Sequence, residues 1–185
     1  MRKFLLLLLL LFISSSIFSS PSGLVAKFSL ERKLSGMEGG ITSSGDVYID
    51  PEEGILFFTK TPFPSRMLLG LDVMKEKIGS FETTTSDMSG NAIYTTFSSA
   101  LGKAAFGSFE GLDGLFDVAV KDDGVVLLNP KGDASRFISY ILIDFENEII
   151  NTIEMEDGSG NVTIYRFEDV ALRSLESSEK EAFNF

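Results

Sequence analysis

Residues 43–71, SSGDVYIDPEEGILFFTKTPFPSRMLLGL, leave this chain few choices of architecture. Val47 and Ile49 alternate with Asp46, Tyr48 and Asp50, the two-residue period of a strand with one apolar face. Asp50-Pro51-Glu52-Glu53-Gly54 is turn chemistry, because proline presets φ and glycine accepts a positive one. Residues 55–61 read as a second strand, rich in Phe and Thr. Pro62 and Pro64 then interrupt the ladder, since proline has no N–H to donate. Residues 66–71 resume in extended form with Met67, Leu69 and Leu71 on one side. Strand, turn, strand, proline corner, strand is an antiparallel meander.

The same logic runs along the chain. Residues 24–34 predict a long half-buried strand, with Leu24, Ala26, Phe28, Leu30 and Leu34 on one parity. One more extended pass is expected over 72–81, and the polar stretch 82–91 reads as a connection. The period then changes. Ile93, Phe97, Ala100, Leu101 and Ala104 fall at helical spacing, Asn91 or Ser89 can cap the start, and Gly107 can end it. Gly102 weakens this helix. Gly107, Gly111 and Gly114 place joints after it. Strands return with Phe116, Val118 and Val120 up to an Asp-Gly turn at 123–124. Residues 125–129, 137–144, 149–156 and 162–167 complete the set, with a turn at 157–161.

The fold class is therefore mainly β with some α (α+β): about ten strands in a strongly curved antiparallel sheet, an unclosed half-barrel with a helical lid in its concave face. A sheet of that size must cover one apolar face, and a single helix of about four turns cannot cover it all. A second packed layer or a ligand must fill the rest. The expected concave residues are Phe28, Leu30, Val47, Ile49, Phe57, Met67, Leu69, Leu71, Ile141, Ile143, Ile153 and Met155, faced by Phe97 and Leu101 from the helix. Taken alone, this alternation is also the pattern of an ordinary core.

The chain has 185 residues and divides into three parts. Arg2 and Lys3, the apolar run 4–18 and the small residues after it have the order of a secretory signal peptide, expected over 1–22. A single domain is expected over 23–173, followed by a charged tail, 174–185. There is no cysteine, so an exported chain would have to close its core without disulfides. The formal charge is −11, which disfavours nucleic acid and anionic lipid surfaces as partners. With neither His nor Cys, most acid–base dyads, thiol nucleophiles and zinc sites are excluded, and no cofactor is expected. The carboxylates lie mostly in turns or on the polar parity, so a carboxylate-dependent hydrolase is the weakest reading. Asp157-Gly158-Ser159-Gly160-Asn161 faintly suggests a calcium loop but fits a hairpin turn better.

Three features in order carry a resemblance. They are Phe28, Arg32 and Leu34 in the first strand; residues 44–65, SGDVYIDPEEGILFFTKTPFPS; and residues 115–132, LFDVAVKDDGVVLLNPKG, followed by residues 157–169, DGSGNVTIYRFED. Together they resemble the LolA-like periplasmic outer-membrane lipoprotein carriers, over about 24–172. The resemblance implies a half-barrel whose hollow takes the acyl chains of a lipoprotein or lipid. It also implies loading by an inner-membrane ABC transporter, release to an outer-membrane receptor, a monomeric periplasmic protein and no catalysis. Asp50 stands where that family often has a basic residue, and the chain has no Trp. The alternative is a non-transporting periplasmic module of the same fold that binds an envelope protein or peptide.

Overall fold

The computed structural model describes residues 23–91, 94, 98, 101–121 and 124–185. The expected signal peptide and Phe97 lie outside the described residues. The strands are β1 (Leu24–Lys33), β2 (Gly40–Asp50), β3 (Gly54–Thr61), β4 (Ser65–Leu69), β5 (Val73–Ile78) and β6 (Thr84–Asp87). After the central connection come β7 (Phe116–Val120), β8 (Val126–Pro130), β9 (Ile138–Glu146), β10 (Ile149–Asp157) and β11 (Val162–Leu172). They form one sheet in the order β6-β5-β4-β3-β2-β1-β11-β10-β9-β8-β7. Every neighbouring pair is antiparallel.

This order explains where the helix must go. β6 and β7 are consecutive in sequence yet stand on opposite edges of an unclosed sheet. The chain between them has to cross a face of the sheet, and it crosses the concave one. Residues 94, 98 and 101–104 are helical. Asn91 caps the start, its Oδ1 accepting the Tyr94 N–H at 3.0 Å. Gly107, at φ +70°, ends it by donating to the Ala104 carbonyl. A Cβ added at Gly102 would meet nothing within 4 Å. Gly102→Ala is therefore expected to raise stability by about 0.5–1 kcal/mol, read as a higher thermal midpoint.

Register builds the core. Leu24 and Ala26 of β1 sit opposite Ile49 and Val47 of β2, which sit opposite Ile55 and Phe57 of β3. Ile143 and Ile141 of β9 oppose Ile153 and Met155 of β10. These side chains share the concave face and belong to one apolar cluster. At the turn after β2, Asp50 Oδ1 accepts the N–H groups of Glu52 and Glu53 at 2.9 and 3.4 Å. Asp50 is thus a turn-former here. Gly45 permits a close approach at the register shift of β2, where a Cβ would collide with the Phe58 carbonyl.

Three elements differ from the sequence expectation. β4 stops at Leu69, because Gly70 N–H turns back to the Val73 carbonyl at 2.9 Å. Leu71 consequently leaves the concave face and is exposed. The polar stretch after residue 82 contains β6, a four-residue edge strand paired only with β5. β11 runs on to Leu172 through an irregularity in its pairing with β1, between Val25 and Lys27, with Asp169 at φ 53°.

The expected charged tail is docked. A short helix, Ser177–Glu181, places Leu175 and Phe183 against Leu56 and Leu68 on the convex face. Both Glu179 oxygens accept from Arg173, at 2.7 and 2.8 Å, and Glu179 also accepts the Glu176 N–H at 2.7 Å. The Arg173 hydrogen bonds hold the Glu179 carboxyl below its ordinary value of 4.5. A depressed folded pKa means stabilisation that is complete above pH 4.5 and is lost as pH falls through the folded value. Glu179→Gln is expected to lower the thermal midpoint near neutrality and to flatten the acid limb of the profile.

Candidate functional site

Side chains of the concave face do not fill it. A cavity of about 90 Å³ remains beneath the helical segment. Its walls come from seven adjacent strands: Leu24 on β1, Val47 and Ile49 on β2, Ile55 and Phe57 on β3, and Leu69 on β4; then Ile141 on β9, Ile150, Ile153 and Met155 on β10, and Tyr165 and Phe167 on β11. Leu101 and Ala105 close it from above. Among the described residues no charged side chain lines it, and Tyr165 alone brings a polar side-chain oxygen or nitrogen.

An aromatic cluster forms one wall. Phe57 meets Phe28 edge-on with ring centroids 5.3 Å apart, and Tyr165 lies 5.3 Å from Phe57. Phe167 stacks on Tyr165 at 6.4 Å. Burial raises the Tyr165 phenol above its ordinary pKa, so it stays neutral here at physiological pH. The rings supply apolar area with few rotatable bonds.

The cover over the cavity is thin and glycine-rich. Ala104, Ala105, Leu112 and Phe116 are buried in the core, while Leu101, Phe106, Phe109 and Leu115 are only partly so. Phe109 packs edge-on against Phe145 at 6.1 Å. Polar ties among the described residues include Tyr94, whose hydroxyl donates to the Val73 carbonyl of β5 at 3.0 Å, and Lys103 Nζ and Lys131 Nζ, which donate to the Glu110 and Asp113 carbonyls, each at 3.2 Å. A Cβ at Gly107 or Gly114 would meet nothing within 4 Å. The backbone there is not wedged against the sheet.

Capacity follows from volume. At about 10–15 Å³ per water-sized group, the cavity admits roughly six to nine such groups. That is a stretch of acyl chain and not a whole one of about 16 carbons, whose transfer from water is worth up to roughly 12 kcal/mol. A full chain enters only if the cover swings outward or the aromatic wall rearranges.

Of the expected concave residues, Val47, Ile49, Phe57, Leu69, Leu101, Ile141, Ile153 and Met155 line the cavity. Phe28, Leu30, Met67 and Ile143 share the face but pack beside it. Leu71 is in the β4–β5 turn. Leu24, Ile55, Ala105, Ile150, Tyr165 and Phe167 were not anticipated. Parity alone places Leu24 with Phe28 and Ile55 with Phe57. Ile150 gives no such signal, because the register shift between Ile150 and Thr152 brings an even-numbered residue to the face used by Ile153.

The calcium-loop reading of 157–161 does not survive the geometry. Asp157 Oδ1 accepts the N–H groups of Ser159 and Asn161, and Oδ2 accepts Asn161 Nδ2 at 2.8 Å. The carboxylate is engaged by its own turn. Among the described residues no helix is long and apolar enough to cross a membrane.

No family model and no curated protein matches the chain. Solved structures do. A LolA superfamily protein from Nitrosomonas europaea matches at 13% identity and TM-score 0.49, covering 85% of this chain and 89% of its own. A DUF1329 family protein from Desulfovibrio piger matches at 13% identity and TM-score 0.48, over 90% of both chains. A domain described as an outer-membrane lipoprotein-sorting protein, from Vibrio parahaemolyticus, matches at 11% identity and TM-score 0.45, over 90% of this chain and 93% of its own. The chain is similar to these proteins in the general layout of a curved antiparallel sheet.

Proposed function

We propose that this protein is a periplasmic carrier that takes an acyl chain of a lipoprotein or other lipid into its concave hollow and moves it toward the outer membrane. The observation that carries this reading is the hollow itself: apolar, lined by no charged residue among the described residues, and roofed by a glycine-rich crossing segment. Buried apolar space of this kind lacks the convergent acids, bases or metal ligands that a reaction would need. The acyl chain must be shielded from water during transit, and the shield must let go, so a well-packed permanent plug would defeat the purpose. In the resemblance drawn from the sequence, an inner-membrane ABC transporter supplies the cargo and an outer-membrane receptor removes it.

The small closed volume favours one other reading, a binding module of the same shape that never opens and meets an envelope protein or peptide on its surface. Lipid extraction separates the two. Protein purified from its native envelope without detergent is expected to yield stoichiometric acyl lipid by mass spectrometry. Protein that carries none, and acquires none when mixed with lipidated protein, would favour the binding module.

A further inference from the structure

We propose that the end of the half-barrel formed by the β1–β2, β3–β4, β5–β6, β8–β9 and β10–β11 connections docks on a phospholipid bilayer, with Phe63 and Phe81 entering its interface. The antiparallel order puts these connections at one end. Backbone bonds tie them together: Gly79 N–H donates to the Pro64 carbonyl at 2.7 Å, and Gly158 N–H to the Phe137 carbonyl at 2.9 Å. Ser35 N–H donates to Asn161 Oδ1 at 3.0 Å. Phe63 and Phe81 are each 73% exposed there, with Met37 at 66% and Phe137 at 61%. All the strongly exposed phenylalanines among the described residues lie at this end.

Charge separates the two ends. Arg32, Lys33, Lys60, Lys77, Lys131 and Arg136 flank these connections. Glu31, Glu38, Glu82, Asp117, Asp133 and Asp157 oppose them, and the ion pairs Arg32–Asp157, Lys33–Glu31, Lys131–Asp117 and Arg136–Asp133 leave this end nearer to balance than the opposite one. The opposite end also exposes apolar residues, Leu71 and Val120 among them, but sets them beside Glu52, Glu53, Asp72, Asp87, Glu146 and Glu148. The excess negative charge of the chain is therefore concentrated away from Phe63 and Phe81. A bilayer with anionic lipid repels the acidic end and admits the more nearly balanced one, which orients the molecule.

The spacing of the exposed rings favours a fluid partner. They sit on separate turn tips, and successive hairpins along a sheet edge are about 10 Å apart. A bilayer interface accepts separate rings wherever they fall, whereas a folded protein would need a matching pocket for each. Docking at this end requires nothing of the hollow, so it stands or falls separately from the carrier reading.

The absence of Trp gives a clean reporter. In Phe63→Trp, emission is expected to shift to the blue on adding vesicles of phosphatidylethanolamine and phosphatidylglycerol, while Leu71→Trp at the acidic end stays unshifted. Phe63→Ser with Phe81→Ser should cut cosedimentation with the same vesicles about tenfold or more. Both positions are exposed, so the circular dichroism spectrum is expected to be unchanged. Equal shifts at positions 63 and 71, no shift at either, or cosedimentation indifferent to the double substitution would overturn the proposal.

Discussion

A glutamate in place of Leu69 is expected to abolish uptake of a fluorescent acyl probe while leaving the sheet in place. Leu69 ends β4 at the margin of the cavity, paired across to Ile55 on β3 and Met74 on β5. It is only half-buried, so a carboxylate there can reach water in the unliganded protein. An acyl chain seated on it would strip that water. Burying a charge without a partner costs at least several kcal/mol, and among the described residues no cation lines the cavity to offset it. Even about 3 kcal/mol weakens binding more than 100-fold. Leu69→Ala, which removes area without adding charge, should weaken binding only modestly. If Leu69→Glu instead loses its strand signal by circular dichroism, Leu69 is a core residue in the ordinary sense and the cavity has no claim on it.

Phe183→Ala is expected to be the most damaging change outside the concave face. Phe183 is 2% exposed and packs with Leu175 on Leu56 and Leu68, the apolar side chains of β3 and β4 that point away from the hollow. Removing a buried phenylalanine ring costs about 3–5 kcal/mol, since the site cannot collapse around a rigid sheet. At about 2–4 °C per kcal/mol for a chain of this size, the thermal midpoint should fall by about 10 °C. Asn184→Ala, next to it and exposed, should leave the midpoint where it is. A wild-type midpoint in Phe183→Ala would show that the tail contributes nothing to the fold.

The meander, the central helix and the later hairpins could be read from alternation and turn chemistry because those devices act locally. Val47 and Ile49 declare a face by spacing alone, and Asn91 and Gly107 declare the helix ends. The failures have a common cause, which is that the deciding partner is far away in sequence. β6 has no apolar alternation because it is an edge strand, and only its pairing with β5 makes it extended. Leu71 carried the right parity, but a turn closed by Gly70 and Val73 removed it from the strand. The tail reads as charged because Leu175 and Phe183 are separated by polar residues. Their common burial depends on Leu56 and Leu68, more than a hundred positions earlier. In the hollow, strand parity located most of the wall, while the bulge that recruits Ile150 and the ring stack around Tyr165 required coordinates.

Titration with a fluorescent fatty acyl probe of about 16 carbons, in detergent-free buffer, tests the central claim most directly. A hollow roofed by a movable cover predicts saturable uptake of one chain per protein, with the probe reporting an apolar, water-free surrounding. A probe that remains in water at every protein concentration, with the protein folded, would show that the cavity is a packing gap and that the cover does not open.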